Sequence, residues 1–334
     1  MTLREQSELR EEKVLSPFAC LSSKSAGRLR PEAECPVRTC FQRDTDRIVH
    51  SKSFRRLMHK TQVFLQPEGD HYRTRMTHTL EVTRIARTMA RGLALNEDLA
   101  EAAALGHDLG HTPFGHAGER ILNEIMEGGF RHFEQSLRVV DKLEKNGDGL
   151  NLTHEVRSGI LCHGSGRNAN TPEGQLVRLA DKIAYINHDI DDAIRGGIIY
   201  PMDIPLEISH VLGFNHTERI NTLVSDVIEA SQGKSAVCQS EEKREAMTAL
   251  REFMFEHVYR NPVAKGEEGK AEDMVKTLFE YYVRNPDALP SDFQTIRVEE
   301  GVERAVCDYV SGMTDNFAVE TYSALFIPKA WTVK

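Results

Sequence analysis

The stretch "AALGHDLGHTPFGHAGE" (residues 103–119) concentrates ionisable side chains of a particular kind. Between His107 and Glu119 it holds three histidines, one aspartate and one glutamate, interrupted by glycines. Solvation does not require imidazoles, and a packed core does not favour five ionisable groups. The chemistry such a set can do is metal binding with an acid/base group beside the ion. Two further residues extend it, His78 upstream and Asp181 downstream. His78, the adjacent His107 and Asp108, and Asp181 offer two imidazoles and two carboxylates. That donor set suits Mn, Fe, Co, Ni or Zn better than Ca. A single histidine on an apolar face is usually a satisfied core residue; four ligand-type residues together argue otherwise.

These residues need helices to bring them together. In "RMTHTLEVTRIARTMARGL", positions 78, 82, 85 and 89 share one helical face, three of them apolar. Asn96 reads as the N-cap of "EDLAEAAALGHD", and Gly106, Gly110 and Pro113 end that helix in a tight turn. A new helix is expected over "HAGERILNEIM". "TPEGQLVRLADKIAYINHDIDDAIRGG" has a Thr-Pro entry and a stop at Gly196-Gly197. Residues 145–151, 231–246 and 262–270 read as loops. No useful period-2 run and no internal repeat is evident, so the expectation is an all-α helical bundle with additional C-terminal helices. Residues 1–35 read as a polar N-terminal arm or peripheral helix, 36–230 as the main domain, and 231–334 as a C-terminal helical segment on the same core.

Composition narrows the function classes. Apolar residues make up 40%, charged residues 28%, and the net charge is −9. That balance disfavours a general nucleic-acid coat. No apolar run reaches the ~18 residues of a membrane span, and "MTLREQSELREEKVLS" lacks a secretory apolar region. Six scattered cysteines form no framework, and the expected location is the cytoplasm.

The H…HD…D order resembles the HD-domain superfamily, and more closely the bacterial dGTPase-type deoxynucleoside triphosphate triphosphohydrolases. The resemblance runs through "RDTDRIVHSKSFRRLMHKTQVF" (43–64), "HYRTRMTHTLEVTRIART", "GHDLGHTPFGHAGE" and "LADKIAYINHDIDDAIR", and returns in "DYVSGMTDNFA" (308–318). It implies an HD phosphohydrolase domain in which His78, His107, Asp108 and Asp181 hold one divalent transition-metal ion, manganese first, with Mg accompanying the nucleotide. It implies hydrolysis of a dNTP at the α-phosphorus to deoxynucleoside and tripolyphosphate. His116 and Glu119, three apart on one helix face, match the catalytic pair. Arg75, His111 and Lys182 match phosphate contacts. Gln62 matches a 3′-hydroxyl contact, and Tyr185 and Asp189 match residues near the sugar, where a tyrosine ring under C2′ would exclude a 2′-hydroxyl.

The resemblance also implies a homo-oligomer. The basic residues Arg43, Arg47, Lys52, Arg55, Arg56 and Lys60 read as a solvated face or as a site for a dNTP effector or single-stranded DNA. Asp191 and Asp192 read as a solvated helix end. The rival readings are another HD phosphohydrolase, acting on a monophosphate or signalling nucleotide, and a regulatory nucleotide- or nucleic-acid-binding protein with a vestigial site. The intact ligand set counts against the second.

Overall fold

The computed structural model describes residues 1–62, 73–260 and 266–329. Among these the chain forms sixteen α-helices and no strand, only two isolated bridges, Arg28 to Thr153 and Thr61 to Thr74. The first six are α1 (Leu3–Val14), α2 (Cys40–Val49), α3 (Lys52–Arg56), α4 (Arg75–Gly92), α5 (Glu97–Gly106) and α6 (Gly115–Ile125). There follow α7 (His132–Arg138), α8 (His154–Cys162), α9 (Pro172–Arg195), α10 (Leu206–Leu212), α11 (His216–Ser231) and α12 (Glu241–Met254). The C-terminal four are α13 (Glu268–Arg284), α14 (Ser291–Glu300), α15 (Val302–Ser311) and α16 (Asp315–Phe326).

The scaffold of the site is α4, α5 and α9. Asn96 caps α5 by accepting from the backbone of Asp98 and Leu99, and Thr171 caps α9 with Pro172 at its first position. On α4 the buried face carries Val82, Ile85, Ala86 and Met89, as its periodicity requires. Helix α5 is buried almost all round, and its alanines at 100, 102, 103 and 104 let neighbours approach closely. A Cβ on Gly159 of α8 would lie 2.6 Å from the Ala103 methyl, so this crossing tolerates nothing larger than glycine. Leu176, Val177, Ile183 and Ile190 of α9 complete the core. Burying each such side chain stabilises the fold by about 1.5–3 kcal/mol.

A second apolar cluster joins α6 to the C-terminal helices: Phe114, Ile121 and Leu122 pack with Val275, Leu278, Val306 and Val310. Two side chains from "DYVSGMTDNFA" tie that lobe to the site. Asp315 accepts from the backbone N–H of Thr61 and of Phe114, both at 2.9 Å. Phe114 sits in the left-handed region (φ 59°), which costs a bulky residue about 1 kcal/mol, and Asp315 holds it there. Asp308 is gripped by Arg138 at 2.7 and 2.9 Å.

Three sequence expectations need correction. Residues 241–246 are not a loop but the first turns of α12, exposed because its buried face begins at Met247. Residues 268–270 belong to α13, while 261–265 lie outside the described residues. Asp192 is not a solvated helix end: it is buried against Arg73 at 3.0 Å, with Asp191 half-buried nearby. Val63 and Phe64 of the KTQVF block, and His71 and Tyr72, also lie outside the described residues.

Candidate active site

His107 closes α5, and the turn after it is held in place by close backbone packing. The Ser136 hydroxyl donates to the His107 carbonyl at 2.6 Å and accepts from Gly110 N–H at 2.9 Å. A Cβ at Gly110 would lie 2.1 Å from the Ser136 nitrogen, so only glycine lets α7 cross there. The turn brings His107 and Asp108 to His78 of α4, all three buried, with one donor atom of each within 4.8 Å of the others. Asp181 joins them from α9, with 24% of its side chain open to solvent. Its Oδ1 lies 3.1 Å from His78 Nε2 and 3.8 Å from His107 Nε2.

The fit to a metal ion can be judged on the donors themselves. His107 Nδ1 sits 2.6 Å from the Ala104 carbonyl, which can only accept, so Nδ1 carries the proton and Nε2 is a bare lone pair. That Nε2 is buried without a hydrogen-bond partner among the described residues. Fixing one imidazole nitrogen on a carbonyl to present the other is the usual support of a metal ligand. Burial alone would raise the Asp108 carboxyl, but the positive charge around it, the Arg75 guanidinium bonded to its Oδ2 included, holds it well below its usual range. Burial is likewise outweighed at Asp181, where the bond from His78 and the neighbouring imidazoles bring it down to about 2. Both carboxylates are therefore ionised, as ligands must be.

Cations and polar groups ring this cluster. Arg75 Nη1 donates to Asp108 Oδ2 at 2.9 Å, with Nη2 and Nε left unpartnered among the described residues. The Gln62 Oε1 is buried and equally unpartnered. His111 Nε2 faces Asp108 Oδ1 at 3.6 Å, and burial beside Arg75 keeps its imidazole neutral. On α9, Asp181, Tyr185 and Asp189 form one stripe, four residues apart. Lys182 is lowered by partial burial and by Arg178, while burial pushes the Tyr185 hydroxyl up to about 12. Burial raises the Asp189 carboxyl to about 7, against the bond it accepts from the Tyr259 hydroxyl.

His116 and Glu119 both lie on α6, but the structure treats them differently. Glu119 Oε2 is 3.4 Å from His116 Nδ1, whose side chain is 71% exposed. Its other oxygen is 2.9 Å from His132 Nδ1 and from the His132 backbone N–H. Burial opposes ionisation of Glu119, yet the two imidazoles hold it well below the usual carboxylate range. An open cleft beside this pair is lined by Arg120, Asn123, Arg131 and Phe133.

Sequence reading missed His132 and His163. Their Nε2 atoms are 3.2 Å apart, and the His111 and His132 rings stack at 4.1 Å. Fourteen histidines in one chain was the available signal. Of the basic cluster, Lys52, Arg55 and Arg56 are exposed, while the other three are engaged by the fold. Lys60 is buried, its ammonium bonded to the carbonyls of His111 and Ser311. Arg47 serves the carbonyls of Leu150 and Asn151, and Arg43 that of Ala33.

An all-α bundle with a buried histidine–aspartate set is the class of protein that the fold and site define, and residues 75–186 match the HD domain model. Residues 237–324 match a phosphohydrolase-associated domain. A deoxyguanosinetriphosphate triphosphohydrolase-like protein of Caldanaerobacter subterraneus subsp. tengcongensis is 57% identical over 99% of this chain and 98% of its own. One from Desulfatibacillum aliphaticivorans is 50% identical over 98% and 99%. The crystal structure of a phosphohydrolase from Bacteroides thetaiotaomicron shares the fold, with TM-score 0.53 at 17% identity over 84% of this chain and 68% of its own. The chain belongs to the deoxyguanosinetriphosphate triphosphohydrolase-like family of HD-domain hydrolases.

Proposed function

We propose that the chain hydrolyses deoxynucleoside triphosphates to deoxynucleoside and tripolyphosphate, with one divalent transition-metal ion, manganese first, held by His78, His107, Asp108 and Asp181. The observation that carries this reading is the buried, bare Nε2 of His107 within a set of two imidazoles and two ionised carboxylates. It is supported by the names of the relatives. An ion there would supply Lewis-acid polarisation of the α-phosphate.

The remaining work falls to side chains. Arg75, His111 and Lys182 bind and orient phosphate oxygens, Arg75 with the guanidinium nitrogens that have no partner in the fold. Water attacks the α-phosphorus as its bond to the 5′-oxygen breaks, and the leaving oxygen takes a proton. The attacking water gives up a proton as the 5′-oxygen gains one, and His116, oriented by Glu119, exchanges a proton with the water or with the leaving oxygen. Gln62 takes the 3′-hydroxyl, Asp189 lies near the sugar, and Tyr185 closes the space at C2′ against ribonucleotides. Loss of that fit is worth a few kcal/mol of discrimination.

The proposal extends to a homo-oligomer in the cytoplasm whose activity responds to a dNTP or to single-stranded DNA. No helix of the described residues is long and apolar enough to cross a membrane. Ion chromatography of products from each dNTP and its ribonucleotide is the test. Tripolyphosphate from the dNTP and little turnover of the ribonucleotide are expected. Orthophosphate or pyrophosphate as the first product would overturn the reading.

A further inference from the structure

Behind the turn that carries His107, Asp108 and His111 lies a cavity that collects positive charge. It opens between α3, α7, the segment 139–147, α14 and α15, and Leu109 and Gly110 of the turn form one of its walls. Lys52, Arg56, Lys60, Lys142 and Lys145 all line it. Lys60 is the buried member, 3% exposed. Its ammonium donates to the carbonyls of His111 and Ser311 and pairs with no carboxylate among the described residues. An ammonium has three N–H donors, so one is left over. Burial first, and then the Arg56 guanidinium, push it down to about 7, with Asp315 and Asp108 acting on it only from a distance. A buried cation held by dipoles alone is costly, and an anion beside it offsets that cost.

The acids of the same walls are already committed. Glu144 accepts from the backbone N–H of Lys52 and Ser53, at 3.2 and 2.7 Å. Asp308 is gripped by Arg138 and Arg304, and Lys142 is taken by Glu299 and Glu300. Asp292, exposed at the rim, accepts from the neighbouring Ser291 hydroxyl. Lys52, Arg56 and Lys145 have no acidic partner among the described residues, so with Lys60 four cations face that one carboxylate. Arg56 Nη1 lies 3.4 Å from where a Cβ on Gly312 would stand, which sets the guanidinium against the end of α15. The cavity measures about 80 Å³, far below the roughly 300–1,000 Å³ of sites that bury a drug-sized ligand. A single tetrahedral anion fits that space, and a nucleoside does not.

We propose that this cavity binds one phosphate group, as free orthophosphate or as the end of a condensed phosphate chain. Arg56 and Lys60 are its inner contacts, and the exposed Lys52 and Lys145 stand at its mouth. Guanidinium and ammonium donors make strong, charge-assisted bonds to phosphate oxygens. The site goes beyond the proposed hydrolysis and is separate from it: of Arg75, His111 and Lys182, none lines this cavity.

The test uses the full chain, freed of metal by chelator and titrated calorimetrically with orthophosphate, with tripolyphosphate and, at matched ionic strength, with chloride. The wild type is expected to take up one more orthophosphate ion than Lys52→Glu/Arg56→Glu. Phosphate held by Arg75 and Lys182 is common to both proteins and cancels. An excess with tripolyphosphate but not with orthophosphate assigns the end of a chain. Equal uptake by the two proteins in both phosphate titrations, or an excess that chloride reproduces, overturns the site. So does a deoxynucleoside triphosphate that shows the excess at a lower Kd than tripolyphosphate, because the nucleoside would then be part of the ligand. If circular dichroism shows the double variant unfolded, arsenate decides. Wild-type crystals grown with it are expected to show an anomalous peak between Arg56 and Lys60, and no peak there overturns the proposal.

Discussion

His107 and His116 stand nine residues apart in one turn, yet the fold treats them as opposites. His107 is fully buried, and its Nδ1 proton is committed to a carbonyl at 2.6 Å. His116 is 71% exposed, held only by a 3.4 Å contact to Glu119. A ligand gains from rigidity, because a fixed tautomer and ring plane present one lone pair without reorganisation. An acid/base group gains from contact with substrate and water, where protons arrive and leave. On the proposed function, the motif is two devices in sequence, one built to hold and one built to exchange.

Breaking the first device is expected to have the largest effect. His107→Ala and Asp108→Ala should lose both the ion and the activity, the second also leaving Arg75 buried without its carboxylate. Elemental analysis and turnover on the same preparations check this; variants that stay active without metal dependence would remove the assignment.

Breaking the second device should separate chemistry from binding. His116→Ala should lower kcat by about 10²–10⁴ while metal content stays unchanged. Glu119→Ala should act in the same direction. Their double variant should lose less than the sum in free energy, because the residues serve one function. A His116→Ala protein that loses its ion, or keeps its kcat, would erase the distinction between the two histidines.

A smaller effect, on stability rather than rate, sharpens the contrast at Asp189. Its carboxyl is raised to about 7 in the fold, by burial first, against about 3.9 in an unfolded chain. Between those values the unfolded chain has released a proton that the folded chain retains, so stability falls as pH rises from 4 through 7. Asp189→Asn lacks this penalty and can still accept from Tyr259. Its stability should gain on the wild type between pH 5 and 8 by roughly 1–4 kcal/mol, read as a relative rise in melting temperature. Parallel melting curves across that range would mean the carboxylate is accommodated as an anion.

What sequence could and could not reveal follows from how each element announces itself. Helices α4, α5 and α9 are periodic and capped by Thr74, Asn96 and Thr171, so the residues proposed as ligands could be assigned to helices from the sequence. His132 and His163 could not, because α7 spans seven residues and His163 only terminates α8, too short a run for periodicity to register. Their meeting also joins residues 31 apart across a loop, with no local motif. Polar residues misled in both directions. Lys60 looked like surface and is buried on two carbonyls, and residues 241–246 looked like a loop because the first turns of α12 show only their wet face. Asp192 looked solvated because its partner Arg73 lies 119 residues away in sequence.

The central claim is that this site attacks the α-phosphorus, and turnover of a dNTP in ¹⁸O-labelled water tests it most directly. One ¹⁸O atom is expected in the tripolyphosphate and none in the deoxynucleoside, because water oxygen enters at phosphorus and the 5′ C–O bond is untouched. Label in released orthophosphate or pyrophosphate, or in the 5′-hydroxyl, would contradict it.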